Sequence, residues 1–167
     1  MTVAQRSKTV LRRRPKSLEP TSAAAKDAAP LRRYIESSAL VAAVLEGDGP
    51  ARAAIRVPSQ RVTSALTITE ARRAVLRARI GGRITAPQER AALRTIQRFA
   101  QRCHIVSVAE MILARAGRPF PIEPVRTLDA IHLATAEFLG DPPALVAVVT
   151  RDTRIRENAA ALGFSVE

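Results

Sequence analysis

ALVAVVTRDTRIRENAAALGFSV, residues 144–166, decides the fold. ALVAVVT is apolar without alternation up to its closing threonine, which is how a strand reads when both of its faces are covered, as in a parallel sheet. DTRIRENAAALG then has the apolar spacing of a helix. FSV, after Gly163, reads as a last short strand. Two strands joined through a helix form the unit from which parallel sheets are built.

Working back from this stretch, the same alternation recurs. TLDAIHLATAEFL, 127–139, is strongly helical and stops at Gly140. PFPIEP before it reads as a loop. MILARAG follows an S-x-x-E pattern, Ser107 and Glu110, that predicts a capping box, and HIVSV, 104–108, predicts a short strand. Thr85 and Gln88 predict a second capping box, with Pro87 in the first turn of a helix running to about Arg102. TITEARRAVLRARI, 67–80, predicts an amphipathic helix closed by Gly81 and Gly82, and RVTSAL a strand before it. RRYIESS predicts the first strand, SALVAAVLEG a helix stopping at Gly47, and the residues after Pro50 a small helical piece before a turn at Pro58. The expectation is an α/β fold with a parallel sheet and right-handed crossovers. In such sheets ligands bind beyond the carboxyl ends of the strands, where the strand order reverses.

The chain has 167 residues, 47% of them apolar, enough for one domain with one core built from Ala, Leu, Val and Ile, since aromatic residues are 3% and Trp is absent. No run approaches the roughly 18 apolar residues of a membrane span. The basic start lacks the apolar stretch of a secretory signal. A single cysteine, Cys103, cannot form an internal disulfide and reads as a core residue. The expectation is a cytoplasmic protein with no membrane partner.

The formal net charge is +12, and such a field favours polyanionic partners, RNA or DNA first. Residues 1–33 carry nine basic and two acidic side chains, so more than half of the excess lies there. Residues 1–30, with LRRRPK, Pro15, Pro20 and Pro30, read as a disordered basic arm, and 31–167 as the folded domain. The arm is either an RNA-binding extension or the product of a mis-assigned start, with translation beginning near Leu31.

Four carboxylates fall at strand or helix ends. Glu36 ends the first strand, Glu70 lies in the first turn of the helix after the second strand, Asp129 starts TLDAIHLATA, and Asp152 follows VAVVT. Each has a bland alternative: Glu70 could close a capping box with Thr67, Asp129 could complement a helix dipole, Asp152 could be an N-cap, and Glu36 could be solvated. If all four converge, their repulsion demands a cation, and a hard divalent ion suits an all-oxygen site.

Those residues also carry a resemblance. YIESSALV resembles the opening strand and helix of PIN domains, usually written with Asp where Glu36 stands. TSALTITEARRAV resembles the second block, RTLDAIHLATA matches the third block of VapC-type toxins closely, and VVTRDTRIRENAAALGFSV resembles the closing block. The resemblance implies a three-layer α/β/α fold with four or five parallel strands. It implies an endoribonuclease dependent on Mg²⁺ or Mn²⁺, usually a homodimer, held inactive by a cognate antitoxin. Glu36, Asp129 and Asp152 would be metal-site acids, and Glu70 the fourth catalytic acid. Ser38 and Thr150 would orient metal or water, and Arg126 would contact substrate phosphate or balance the acids, a structural ion pair being the alternative. The implied chemistry is hydrolysis by an activated water, leaving a 5′-phosphate and a 3′-hydroxyl.

Glu36 departs from the pattern, its extra methylene adding about 1.5 Å of reach. A degenerate domain that binds RNA or protein without cutting is therefore the competing class. His132, three residues after Asp129, reads as a packing residue, with a metal pair as the alternative. The arginines at 72, 73, 77 and 79 read as a solvated face. One Cys and two His do not support zinc. Absence of lysine after Lys26 argues against receiver domains and haloacid-dehalogenase-like phosphatases, and no G-x-S-x-G nucleophile elbow is present.

Overall fold

The computed structural model describes residues 32–167. The basic arm expected over 1–30 lies outside the described residues. Five strands form one all-parallel sheet: β1 (Arg32–Ile35), β2 (Gln60–Ser64), β3 (His104–Val106), β4 (Val146–Val149) and β5 (Ser165–Val166), in the order β3-β2-β1-β4-β5. Seven α-helices are seen among the described residues: α1 (Ser37–Val41), α2 (Gly49–Arg56), α3 (Ala65–Ile80), α4 (Ala86–Ala100), α5 (Glu110–Ala116), α6 (Thr127–Phe138) and α7 (Thr153–Ala161). The expected α/β architecture with a four- to five-stranded parallel sheet is the one observed. No described helix is long and apolar enough to cross a membrane.

The period-2 alternation of the strands sorts side chains onto the two faces. Tyr34, Val62, Val146 and Val148 point to the face covered by α5, α6 and α7, where they meet Ile112, Leu133 and Ile155. Ile35 and Val149 point to the other face, against Ala39 of α1, Ile55 of α2 and Phe99 of α4. There Leu40, Val75 and Ile96 join α1, α3 and α4 in a second cluster. Each face is thus buried, which is why VAVV reads as a continuous apolar run: all four residues of β4 are buried.

The helix boundaries show where local chemistry prevailed. The Thr85–Gln88 capping box forms in both directions. The helix that opens with SALVAAVLEG is α-helical only to Val41 and widens into a π turn, Ala42–Glu46, before Gly47 closes it at φ 73°. Two expectations fail. Ser107 does not cap α5, because that helix begins at Glu110 with Ala109 at its N-cap and no side-chain bond there. Glu70 does not lie in a first turn. The Ser64 hydroxyl accepts from the Leu66 amide at 3.1 Å, which starts α3 two residues before Thr67 and leaves Glu70 in the second turn.

The two caps make a paired prediction. Thr85→Ala removes a satisfied N-cap and should cost about 1 kcal/mol. Ser107→Ala should change stability by less than about 0.5 kcal/mol. Urea denaturation midpoints of the two variants check this, and equal losses would refute the assignment of the caps.

Candidate active site

The strand order reverses at β1. From it the chain moves outward to β2 and β3, then returns to β4 on the other side. The carboxyl ends of β1 and β4 therefore meet at the switch point, where an open parallel sheet leaves its crevice. The Glu36 amide donates to the Val149 carbonyl at 3.0 Å and fastens the two ends together.

Glu36 sits in this seam with 2% of its surface exposed. It is the N-cap of α1, and its carboxylate folds back onto the first turn. The Ser38 amide donates to both carboxylate oxygens at 3.0 Å, and Ser37 Oγ to Oε1 at 2.5 Å. Thr150 Oγ1 donates to Oε2 at 2.8 Å, and Ser38 Oγ bonds the same oxygen. A buried carboxyl group needs hydrogen-bond partners, and here an amide and three hydroxyls supply them. Ser38 and Thr150, expected beside the acids, are both present and lie 3.2 Å apart. Thr150 Oγ1 also accepts from the Asp152 amide at 3.0 Å, which ties the fourth acid to the first.

Asp152 is the N-cap of α7, and its Oδ1 accepts from the amides of Arg154 and Ile155. The bland reading of that residue as a cap is realised, and among the described residues only Oδ1 accepts hydrogen bonds. Asp129 lies in the first turn of α6. Its Oδ2 is buried and has no hydrogen-bond partner among the described residues. Burial raises its carboxyl above the ordinary aspartate range. The charges of Asp152 and Glu36 push the same way, while Arg126 and His132 oppose them. Asp129 thus feels the charge of both Asp152 and Glu36.

Glu70 reaches the cluster through a residue that sequence reasoning assigned to packing. His132 is 1% exposed, as a core residue should be. Its Nε2 lies 2.7 Å from Glu70 Oε2 and 3.7 Å from Glu36 Oε1, and its Nδ1 lies 2.8 Å from the Tyr34 hydroxyl. Burial works against the Glu70 carboxylate, but the hydrogen bond and charge of His132 outweigh it, aided by Ser37 and Arg77. The Glu70 carboxyl is held below its ordinary range. Tyr34 is fully buried, and burial first, then the charge of Glu36, push its phenol far above the ordinary value. It remains a neutral hydroxyl. The signal that could have found His132 was its i+3 spacing from Asp129, which puts both on one side of α6.

Five other acids, Asp48, Glu89, Glu137, Asp141 and Glu167, each pair with an arginine. None of Glu36, Glu70, Asp129 and Asp152 has an arginine within ion-pair distance among the described residues. Arg126, the N-cap of α6, is exposed, uses its side chain in no cap bond and forms no ion pair there. The alternative of a structural ion pair is therefore not the one observed.

Glu36, Glu70 and His132 offer ligand atoms within 4.8 Å of one another, a spacing that could hold a metal. That trio is already closed by its own hydrogen bonds, however. The unsatisfied oxygen belongs to Asp129, with Asp152 as its acidic neighbour. Asp129 and Asp152 fall outside that trio, but an orphaned buried carboxylate oxygen with a second acid near it is the kind of donor a hard divalent cation takes.

The matching family profile is the PIN domain, over residues 33–161. The chain belongs to the PIN-domain family. The ribonuclease VapC35 of Mycobacterium tuberculosis is 34% identical over 137 residues, which cover 80% of this chain and 93% of that relative. VapC46 of the same organism is 37% identical over 135 residues, covering 80% and 94%. The crystal structure of M. tuberculosis VapC20, described as a Sarcin-Ricin loop cleaving toxin, superposes with a TM-score of 0.57 at 17% identity, covering 79% of this chain and 95% of that one. At that identity the superposition speaks for the PIN fold alone.

The opposite shifts of the two acids give opposite stability effects. A raised carboxyl pKa costs stability as pH rises through it, and a lowered one costs stability as pH falls through it. Asp129→Asn should raise the Tm at neutral pH by about 2–4 °C, a gain that shrinks as pH falls from the raised value toward the ordinary aspartate range and is gone below it. Glu70→Gln should lower the Tm at neutral pH. Thermal melts across the acid range check both signs, and a lower Tm for Asp129→Asn would remove the claim of uncompensated charge.

Proposed function

We propose that this protein is an endoribonuclease dependent on Mg²⁺ or Mn²⁺, the toxin of a toxin–antitoxin pair. The observation that carries this reading is the buried Asp129 Oδ2, which has no hydrogen-bond partner among the described residues and sits near acids that form no ion pair with an arginine there. The two curated relatives, which this chain matches over most of their length, are both named ribonucleases. A nuclease directed at its own cell's RNA has to be held inactive, so a cognate antitoxin protein is the expected partner.

Asp129 and Asp152 would hold the cation, with Glu70 bound directly or through water. When bound, the cation would supply a Lewis acid for the phosphate and lower the pKa of the attacking water. The remaining roles fall to the chain's own groups. His132 fixes the rotamer of Glu70 and keeps it ionised. Thr150 orients Asp152 through its amide and Glu36 through its carboxylate. Glu36 serves first as the fixed point of this network, since each of its oxygens is already bonded. Arg126, exposed and close enough to Asp129 for its charge to act there, would meet a substrate phosphate.

One observation favours the second reading, a domain that binds without cutting: the Glu36 carboxylate is engaged by its own donors. Cleavage separates the two. The purified protein with Mn²⁺ should cut a mixed-sequence RNA to products with 5′-phosphates. Chelation should abolish cleavage, and Asp129→Asn or Asp152→Asn should reduce it at least about 100-fold, the scale of losing a group that acts on the transition state. Induced expression should arrest growth, relieved by Asp129→Asn. Cleavage unaffected by Asp129→Asn would overturn the assignment. Absence of cleavage with every divalent cation, despite tight RNA binding, would establish the non-catalytic reading.

A further inference from the structure

The end of the sheet opposite the acids is lined with arginine. A cavity of about 350 Å³ lies between α2, β2 and α4, and Arg56, Arg61, Arg98 and Arg102 reach into it beside Thr95 and Phe99. Arg61 and Arg102 also line a larger cavity of about 790 Å³, which continues past Arg32, Gln60 and His104. Among the described residues no carboxylate lines either cavity. None of Arg56, Arg61, Arg98 and Arg102 forms an ion pair among the described residues. The Nε of Arg61 is buried and has no hydrogen-bond partner there, although a donor in that position normally finds one.

The placement is not incidental to α4. Arg90, Arg94 and Arg98 follow one another at intervals of four along the helix, Arg102 lies in the turn just beyond its end, and all four are exposed. Like charges at i, i+4 destabilise a helix by a few tenths of a kcal/mol per pair, so this stripe is a standing cost unless an anion relieves it. Guanidinium groups match phosphate oxygens in fork geometry. The chain also enters the described fold at Arg32, on the rim of the larger cavity, after a segment with seven basic and two acidic side chains.

We infer that Arg56, Arg61, Arg98 and Arg102 form an anchoring site for the phosphodiester backbone of single-stranded RNA, separate from the acids. Arg32 and Glu36 mark opposite ends of β1, roughly 13 Å apart by strand rise, so a strand of a few nucleotides reaches from one to the other. The inference rests on the ribonuclease reading for the identity of the polyanion. It assigns the cradle to grip and the acids to cleavage. Ile55 and Phe99 also line the cavity, but its charged groups are four guanidiniums of one sign, which suits the repeated charge of a phosphodiester backbone.

The test uses the full chain carrying Asp129→Asn, so that bound RNA stays intact. Fluorescence anisotropy with a labelled 12-nucleotide mixed-sequence RNA gives Kd across a salt series. Adding Arg98→Gln and Arg102→Gln should raise Kd at least about tenfold and reduce the slope of log K against log salt by about 1.4, the loss of two phosphate contacts on a single strand. Arg72→Gln with Arg73→Gln removes the same charge from an exposed stretch of α3 and should change Kd less than about twofold. Equal weakening by both pairs, or an unchanged slope in the first, overturns the inference. Unchanged RNA binding with loss of a co-expressed antitoxin assigns the surface to protein and also overturns it. Failure of the native chain to cut any RNA, with the cradle pair still weakening binding as expected, counts against the nuclease and leaves the anchoring site standing.

Discussion

The contact on which the site depends is the hydrogen bond from Thr150 to Glu36, reinforced by Ser38. It joins the residue after β1 to the residue after β4, strands separated by most of the chain. Without it, two carboxylates at the switch point would face each other across an open seam. With it, Glu36 becomes the buried acceptor around which the first turns of α1 and α7 are arranged. Ser38 Oγ accepts from the Arg151 amide at 2.7 Å, so even the backbone between Thr150 and Asp152 is held. The position of Asp152 therefore follows from the position of Glu36, and the crevice geometry from one polar network.

Much of the fold was legible because its signals are local. The uninterrupted apolar run of β4, the stop at Gly163 and the Thr85–Gln88 box each declare themselves within a few residues. The misread helix starts have a shared physical cause. Ser64 and Thr67 are both competent N-caps, and which one is used depends on where β2 stops pairing. That is set by its register with β3, Ser64 opposite Val106, and not by the helix. Ser107 lost its cap because α5 starts from Ala109, two residues later than the pattern requires.

The candidate acids were legible as positions, not as relationships. Their placement at strand and helix ends made convergence an open possibility, but could not show that Glu36 would be satisfied by hydroxyls while Asp129 would not. Nor could spacing show that His132 bridges Tyr34 and Glu70, since the partners lie 98 and 62 residues away. The arginine cradle was missed for a similar reason. Arg56, Arg61 and Arg102 come from three separate segments and meet only once β2 is paired.

The two charged regions explain one another. A cluster of acids that repels polyanions is a poor place to bring RNA, because the field that would favour a cation opposes a phosphate chain. Arginine at the far end of the same strands offsets that penalty without neutralising the acids, since a separation near the Debye length leaves each region its own local potential. Pairing the arginines with Asp129 or Asp152 directly would satisfy both charges and remove the need for a cation. The sheet prevents this by holding the acids at the carboxyl ends of its strands and the cradle at the amino ends. Glu36 fits the same logic: its longer arm folds back to neutral donors, so it anchors the crevice without drawing an arginine into it.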